Sequence, residues 1–382
     1  MARRIYISTG ERSGEEHAAM LARALRERDP AVGLWGMGGA RLSEAGVETI
    51  ADASDHAITG FTEVFGHLHA FRALLRQAFE FVRTTRPDAV ILVDYPGFHL
   101  RLARRIRKAL PGQKIFYYIA PKFWAWDYRR VHELRRLTDR VLCILPFEEA
   151  LLRAEGVSAD FVGNPLLDEL DFSEDGQTVR GELGLSRESS LVGLFPGSRK
   201  SEIRRILPIL LAASRMLQKR DPSLCFVVAA APGMDRAMLE ALAGRGLEGL
   251  PVLPGRAHEI MAASRLLLAK SGTTTLEAAL YGAPMVVLYR VSALSAWLGW
   301  RLVRTSCFSL PNLLAHDFPA AGENPRVLVP ELIQEAATPE RVAEEAWRIL
   351  SDEAIRQTMR GKLLGLRERL GGPGASRRAA EA

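Results

Sequence analysis

Two glycine-containing segments in the second half of the chain have the residue types of a phosphate site. They read Leu194-Phe195-Pro196-Gly197-Ser198-Arg199 and Lys270-Ser271-Gly272-Thr273-Thr274-Thr275-Leu276-Glu277. Each follows an apolar run and precedes a helix-like stretch, so backbone N–H groups and hydroxyls are predicted at a helix N-terminus. Neither has the spacing of an ATP-binding loop or a dinucleotide fold. Together they favour a nucleotide-sugar site, although a lone Gly-Ser corner often only joins strand to helix.

Side chains in and near these corners could bind a sugar nucleotide. Arg199 offers a positive charge, while Ser198 and the turn Ser271-Gly272-Thr273 offer hydroxyls and backbone N–H groups. Glu277 lies just inside the helix predicted after the second corner. Further along, Asn312 offers an amide that could bond to uracil, a sugar or phosphate. We interpret these residues as candidates for binding the sugar nucleotide.

A third glycine-rich corner, Ser8-Thr9-Gly10-Glu11-Arg12-Ser13-Gly14, ends the first apolar run. Glycines such as Gly14 let the backbone approach a ligand closely. Glu11 could orient sugar hydroxyls, and it is our second catalytic candidate beside Asp94. The alternative is a capped helix start, with Ser13 as the cap and acidic residues stabilising the first turn. One residue can serve both purposes, so both interpretations stay open.

Asp94 follows the apolar run Ile91-Leu92-Val93 and precedes Tyr95-Pro96-Gly97-Phe98-His99. A partly desolvated carboxylate at the end of a buried strand has a raised pKa, which suits a general base. An aspartate that only caps the next helix is the alternative, and His99 competes for the base role. The sequence has no Asp-x-Asp triplet, serine-triad elbow or His/Cys metal spacing. We therefore expect no metal and no cofactor, with the nucleotide-sugar as a substrate.

The segment Phe61–Val82 has apolar residues at helical spacing with arginines beside them, and Leu294–Arg304 has a similar character. A core-facing amphipathic helix is one interpretation, and an interfacial or acyl-chain-binding helix is the other. Basic clusters at 101–108 and 129–136 fit either a solvated helix face or an anionic partner. The candidates for membrane or acyl contact are Phe71, Leu75, Trp297 and Trp300.

Short apolar runs alternate with helical patterns from Ile5–Ser8 to Met285–Leu288, as is typical of parallel strands covered on both faces. We therefore predict an α/β fold with two doubly wound, Rossmann-like domains facing a central cleft. The predicted boundaries are residues 1–167 for the first domain, 186–345 for the second domain, 346–370 for helices that pack back, and 371–382 for a frayed tail.

Composition narrows the class of protein further. The chain has 382 residues, of which 48% are hydrophobic, and a net charge of +6, so two real cores are expected. Its three cysteines are far apart and lie in apolar surroundings, which indicates thiols in a reducing cytosol. The N-terminal apolar run is too short for a signal peptide, and no run is long enough to span a membrane.

Ten motifs resemble those of the lipid-A-disaccharide synthase family, and they occur in order over about residues 5–335. They are Gly10-Glu11-x-Ser13-Gly14, Gly60-x-x-Glu63-Val64, Asp94-x-Pro96-x-Phe98, Pro121-x-x-Trp124-Ala125-Trp126, Leu145-Pro146-Phe147-Glu148, Phe161-Val162-Gly163, Pro196-Gly197-Ser198-Arg199-x-x-Glu202, Ser271-Gly272-Thr273-x-x-Leu276-Glu277, Pro284-Met285-Val286-Val287-x-Tyr289-Arg290 and Ser309-Leu310-Pro311-Asn312.

The resemblance implies a GT-B fold and a metal-independent, inverting glycosyl transfer. In that reaction 2,3-diacylglucosamine moves from its UDP donor to the 6-hydroxyl of 2,3-diacylglucosamine 1-phosphate, and UDP is released. The implied partners are these two substrates and an anionic membrane surface, because the family works at the inner, cytoplasmic face of the membrane. No nucleic acid is expected, and a homodimer is left open.

Carried over onto matching positions, the resemblance implies an acceptor-binding first domain, with Asp94 as the base and Glu11 and Ser13 at the cleft. It implies a UDP-sugar-binding second domain, with Arg199 on the diphosphate and Glu277 and Asn312 on the donor. The sequence departs from the family pattern at Gly97, Ala120 and Asn164, and residues 316–326 resemble an insertion. Two kinds of soluble enzyme would use the same corners without an apolar helix, namely a GT-B hexosaminyltransferase and a UDP-sugar epimerase. A non-catalytic sugar-nucleotide-binding regulator is the third alternative.

Overall fold

The computed structural model describes residues 2–10, 12–51, 64–186, 188–244, 246–292, 305–320, 322–323 and 325–382. The chain divides into two compact domains. The first comprises residues 1–168 and 370–382, and the second comprises residues 169–369. Residues 168–185, which the predicted boundaries left between the two domains, therefore belong to the second domain, apart from Asp168.

The first domain is built on a seven-stranded parallel sheet. Its strands are β1 Arg4–Ser8, β2 Gly33–Met37, β3 Glu48–Ala51, β4 Ala89–Val93, β5 Ile115–Tyr118, β6 Arg140–Cys143 and β7 Ala159–Phe161. Their order across the sheet is β3-β2-β1-β4-β5-β6-β7. The direction of winding therefore reverses between β1 and β4. The helices described up to the domain boundary are α1 Arg12–Arg28, α2 Ala40–Glu44, α3 Val64–Thr85, α4 Pro96–Ala109, α5 Phe123–Trp126, α6 Arg129–Leu137, α7 Pro146–Ala154 and α8 Leu166–Glu169.

The second domain repeats this plan on a six-stranded parallel sheet. Its strands are β8 Leu191–Phe195, β9 Cys225–Ala230, β10 Val252–Pro254, β11 Leu266–Lys270, β12 Met285–Tyr289 and β13 Glu331–Ile333, in the order β10-β9-β8-β11-β12-β13. Here the winding reverses between β8 and β11. The described helices are α9 Gln177–Glu182, α10 Lys200–Arg220, α11 Arg236–Ala243, α12 Ala257–Ala263, α13 Thr273–Leu280, α14 Leu310–Ala315, α15 Pro339–Ser351 and α16 Glu353–Arg369.

The central strands are apolar on both faces because helices cover both sides of each sheet. All five residues of β8 are buried, as are four of the five residues of β4 and of β11. This is the burial that continuous apolar runs predict for parallel strands. Both domains are therefore doubly wound α/β sheets, as the sequence predicted.

The C-terminal tail differs from its expected frayed state. Residues Ala375–Glu381 form a helix, α17, which belongs to the first domain and packs against α1. Ala375 and Ala379 are buried, and Ala379 joins the same apolar cluster as Ala22 of α1. Arg378 donates a hydrogen bond of 2.7 Å to the carbonyl of Val162. The small alanines let α17 and α1 approach closely. The prediction of a frayed tail rested on composition, which does not reveal this contact.

Candidate functional site

Both domains place their candidate residues where the winding of the sheet reverses. Loops at the carboxyl ends of the two strands that flank such a reversal form the crevice where α/β sheets bind ligands. In the first domain these strands are β1 and β4, which are followed by the corner at residues 9–14 and by Asp94. In the second domain they are β8 and β11, which are followed by the two glycine corners.

The backbone at the end of β4 is held in an unusual conformation. Asp94 has φ +50° and Tyr95 has φ +44°, both in the left-handed region that residues with side chains rarely adopt. This kink lets Tyr95 serve as the N-cap of α4, with Pro96 as the first helical residue. A side chain at Gly10 would collide with the Tyr95 ring, because a Cβ there would lie 2.2 Å from Tyr95 Cδ1. The glycine of the first corner therefore makes room for the Asp94 loop.

Two hydrogen bonds fix the carbonyl of Asp94. The Tyr117 hydroxyl donates to it at 2.6 Å, and Nδ1 of His99 lies 2.6 Å from it. A carbonyl only accepts, so Nδ1 carries the proton, and Nε2 of the neutral ring accepts from the Ser8 hydroxyl at 2.9 Å. His99 is fully buried, and this burial lowers its pKa to about 4. Both ring nitrogens are thus engaged, so His99 is a poor general base and a good support for Asp94.

The carboxyl group of Asp94 lies in a partly buried, electropositive setting. Burial raises its pKa above the usual value of an aspartate. The positive charges of Lys122, His17 and Arg130 and the backbone N–H of Tyr95 act in the opposite direction without cancelling this rise. A carboxylate with these surroundings is more basic than an exposed one, which suits a proton acceptor.

The rest of the first corner is only partly described. A Cβ on Gly14 would lie 2.8 Å from the Thr9 hydroxyl and 3.9 Å from Cβ of Asp94, so the first turn of α1 packs beside the Asp94 loop. Glu11 lies outside the described residues, and the side chain of Ser13 is also outside them. Their expected roles stay predictions.

Glu148 is a buried carboxylate that the sequence reasoning gave no role, although its motif was part of the family resemblance. It is 1% exposed, accepts a hydrogen bond from Nε1 of Trp124 at 2.9 Å, and accepts another from the backbone N–H of Leu145 at 3.2 Å. Burial raises its pKa to about 7 despite these bonds. Glu148 thereby fixes Trp124, whose ring packs against Phe147 with the centroids 5.3 Å apart.

In the second domain, the first glycine corner contains a cluster of charged groups. Gly197 has φ +102°, which only glycine adopts without strain. Ser198 and Arg199 are exposed, whereas Glu202 of α10 is mostly buried. Glu202 accepts from Nη1 of Arg199 at 3.3 Å and from Nζ of Lys270 at 2.9 Å. Lys270 was not singled out from the sequence, because it reads there as the end of an apolar strand.

The second glycine corner is held to a neighbouring loop. The buried Ser271 hydroxyl donates to the carbonyl of Phe308 at 2.8 Å, while Thr273 is exposed at the start of α13. On the same helix, Glu277 accepts a hydrogen bond of 3.1 Å from Nε2 of His258. This bond raises the pKa of His258 and outweighs its partial burial. His258 is a second neighbour of the donor-site candidates that the sequence did not reveal.

The sequence predicted that the amide of Asn312 would bind the donor substrate, but this amide is already hydrogen-bonded within the protein. Its side chain is fully buried and donates to the carbonyl of Val329 at 2.9 Å and to Oε1 of Glu331 at 2.7 Å. Its oxygen accepts from the backbone N–H groups of Leu328 and Val329 at 2.8 and 3.0 Å. Because an amide has two donors and two acceptor positions, all are used. Asn312 therefore organises the loop before β13.

The four residues predicted to contact the membrane or acyl chains differ in burial, and two of them lie outside the described residues. Leu75 is 3% exposed and is therefore a core residue of α3, in contrast to the prediction. Phe71 is partly buried against Phe98, with the ring centroids 5.3 Å apart, and keeps some exposure. Trp297 and Trp300 lie outside the described residues. Among the described helices, none is long and apolar enough to cross a membrane.

Sequence comparison identifies relatives over nearly the whole chain. Residues 5–377 match the family model described as lipid-A-disaccharide synthetase. The lipid-A-disaccharide synthase of Myxococcus xanthus is 43% identical over 382 residues, which cover 99% of this chain and 96% of that relative. The lipid-A-disaccharide synthase of Trichlorobacter lovleyi is 40% identical over 379 residues, with coverage of 99% and 96%.

Solved structures with low sequence identity share the fold. A UDP-GlcNAc 2-epimerase from Neisseria meningitidis bound to UDP-GlcNAc gives a TM-score of 0.64 at 13% identity and covers 100% of this chain and 99% of its own. The glycotransferase of kitacinnamycin gives 0.60 at 16% identity, with coverage of 100% and 98%. These structural similarities identify the GT-B fold, and the sequence relatives identify the family among proteins with this fold. The chain belongs to the lipid-A-disaccharide synthase family of glycosyltransferases.

Proposed function

We propose that the protein forms the disaccharide of lipid A. It transfers 2,3-diacylglucosamine from UDP to the 6-hydroxyl of 2,3-diacylglucosamine 1-phosphate, with inversion at the anomeric carbon and release of UDP. Family membership, with 43% identity to the relative from Myxococcus xanthus, supports the reaction. The observation that carries the chemistry is Asp94, a desolvated carboxylate on a rigid loop at the winding reversal of its sheet.

In this mechanism Asp94 is the general base. Its carboxylate takes the proton of the acceptor's 6-hydroxyl while that oxygen attacks the anomeric carbon of the donor. The new carbon–oxygen bond forms on the face opposite UDP, whose bond to the sugar breaks, so the configuration inverts. The bonds from Tyr117 and His99 to the Asp94 carbonyl hold the loop in place, which keeps the base from rotating away from the hydroxyl.

The donor binds on the second domain. Its diphosphate contacts Arg199 and the exposed backbone and hydroxyl groups of Ser198 and Thr273, since these follow the two strands that flank the reversal. Glu277 accepts hydrogen bonds from donor hydroxyls, in addition to the one from His258. The charge that develops on departing UDP is stabilised by these groups, a role that fixed donors and cations fill in group transfer.

Both substrates carry acyl chains, so the enzyme acts at the cytoplasmic surface of the inner membrane as a peripheral protein. Moving acyl chains from a bilayer into water costs about 0.8 kcal/mol per CH₂. The protein therefore has to reach its substrates at the bilayer. Basic residues exposed on α4, among them Arg101 and Arg105, would favour an anionic surface.

A product assay tests the function. The protein is mixed with the diacylated UDP donor, with and without the diacylated monophosphate acceptor, and the products are identified by mass and by the configuration at the new bond. The expected result is an inverted disaccharide and acceptor-dependent UDP. An epimerase would instead convert the UDP-sugar without acceptor, and a soluble hexosaminyltransferase would accept short, unacylated sugars equally well. Either of those results contradicts the proposal.

A further inference from the structure

The side chain of Lys270 lies between the two glycine corners of the second domain. Strands β8 and β11 are parallel neighbours with Phe195 opposite Ala269, so both corners leave the sheet side by side. A Cβ on Gly272 would lie 3.6 Å from Nζ of Lys270, and a Cβ on Gly197 would lie 3.5 Å from its Cδ. The lysine therefore lies against both corners, and the two glycines leave the space around it open.

Glu202 holds this lysine in place. The side chains of Lys270 and Glu202 are 18% and 16% exposed, and their charged atoms are 2.9 Å apart. Burial acts to raise the pKa of Glu202, but Lys270 and Arg199 more than offset it, so the pKa lies below its usual value. Glu202 is thus ionised. Arg199, by contrast, is 78% exposed and only loosely attached at 3.3 Å.

We propose that Lys270 is a diphosphate-binding cation of the donor site and that Glu202 is its counter-anion, which competes with the diphosphate for the lysine. This inference rests on the proposed function. The pair of cations, Lys270 and Arg199, faces one carboxylate. Glu202 positions the lysine between the corners, yet its negative charge repels the diphosphate. Such an arrangement limits the affinity for UDP, which favours release of this product after transfer.

The two residues are therefore expected to have opposite effects on UDP binding. Isothermal titration of the full chain with UDP measures this in the variants Lys270→Met and Glu202→Gln. Loss of a charge-assisted contact weakens UDP binding about tenfold to a hundredfold in Lys270→Met. Glu202→Gln tightens UDP binding several-fold, because glutamine still completes the capping box at the start of α10 without the charge. The variant Lys270→Arg retains most of the affinity.

Matched controls and a second probe separate charge at the corner from general effects. Lys219→Met, at the far end of α10, and Glu240→Gln, on α11, change exposed charges and are expected to leave UDP binding unaltered. Uridine lacks phosphates, so all variants are expected to bind it as the unmodified protein does. Equal loss of uridine and UDP in Lys270→Met would mean a disturbed fold and would count against the proposal.

Two results overturn this inference alone while the proposed function stands. One is unchanged UDP affinity in Lys270→Met, and the other is weakened UDP affinity in a folded Glu202→Gln. Absence of UDP binding by the unmodified protein would contradict the proposed function, and the inference with it.

Discussion

Asp94 and Tyr95 both have positive φ, a conformation that costs residues with side chains about 1 kcal/mol or more each. The bonds from Tyr117 and His99 to the Asp94 carbonyl keep the backbone in this state. His99 acts only through Asp94, so it is a positioning residue. Its neutral tautomer is set by Ser8 on one side and by the carbonyl on the other.

The variant His99→Phe tests this support. Phenylalanine fits among the rings of Tyr95 and Tyr117 that surround His99, but it donates no hydrogen bond. We expect kcat to fall about tenfold to a hundredfold, because small displacements of a base are costly. UDP binding should be unchanged, since the proposed UDP site lies on the other domain. The exposed His132→Phe serves as the control, and equal kinetics in both variants would remove His99 from the account.

His99 also predicts how stability depends on pH. Its pKa is about 4 in the folded protein, below the usual 6.5, so the unfolded chain binds more protons between these values. The stabilisation is complete above pH 6.5 and is lost as the pH falls towards 4, by about 3 kcal/mol in all. Denaturant unfolding of His99→Phe should therefore show a flatter pH dependence over this window. Parallel curves for the two proteins would contradict the assignment.

Among the elements, α17 shows how packing can override composition. Glycine, alanine and arginine suggested a frayed end, yet Arg378 donates to the carbonyls of Val162, Pro373 and Gly372. We expect Arg378→Ala to lower the free energy of unfolding by about 1–3 kcal/mol. Its exposed neighbour gives the control, as Arg377→Ala should change it by less than about 0.5 kcal/mol. Indistinguishable denaturation curves for the two variants would instead support the predicted frayed tail.

Helix α3 yields a second test at this scale. Leu75 is buried, so Leu75→Ala should lower the free energy of unfolding by about 2–5 kcal/mol. Arg76→Ala, at an exposed position, should not. Both folded variants should bind vesicles of anionic lipid as the unmodified protein does, if Leu75 is purely a core residue. Selective loss of vesicle binding in a fully stable Leu75→Ala would return this residue to the membrane surface.

The sequence predicted most elements because their physical signals are local. A strand occurs at each predicted apolar run from Ile5–Ser8 to Met285–Leu288, while the two strands that were not predicted, β3 and β13, are short edge strands with partly exposed residues. Glycine corners were found from their turn residues. The pairing of Lys270 with Glu202, and of Asn312 with Glu331, joins residues 68 and 19 positions apart. Contacts of this kind depend on the folded sheet and leave no local pattern.

At the scale of the whole molecule, the two domains use one plan for two purposes. Each winds outward from a central pair of strands and sets its candidate residues at the carboxyl ends of that pair. The first domain sets a carboxylate there and the second sets cations and exposed turn residues. These are the base and the diphosphate site that the proposed inverting transfer requires. Under the proposed function, the same topology thus holds the base in one domain and the donor in the other.

Acceptor-dependent UDP release by Asp94→Asn tests this account most directly. Asparagine keeps the size of the side chain but cannot take a proton, so the rate should fall about 10²-fold to 10⁴-fold while titrated UDP affinity stays unchanged. In the unmodified protein the rate should rise with pH through the raised pKa of Asp94, because only the ionised carboxylate is a base. Near-normal turnover in a folded Asp94→Asn, with the same pH profile, would contradict the account.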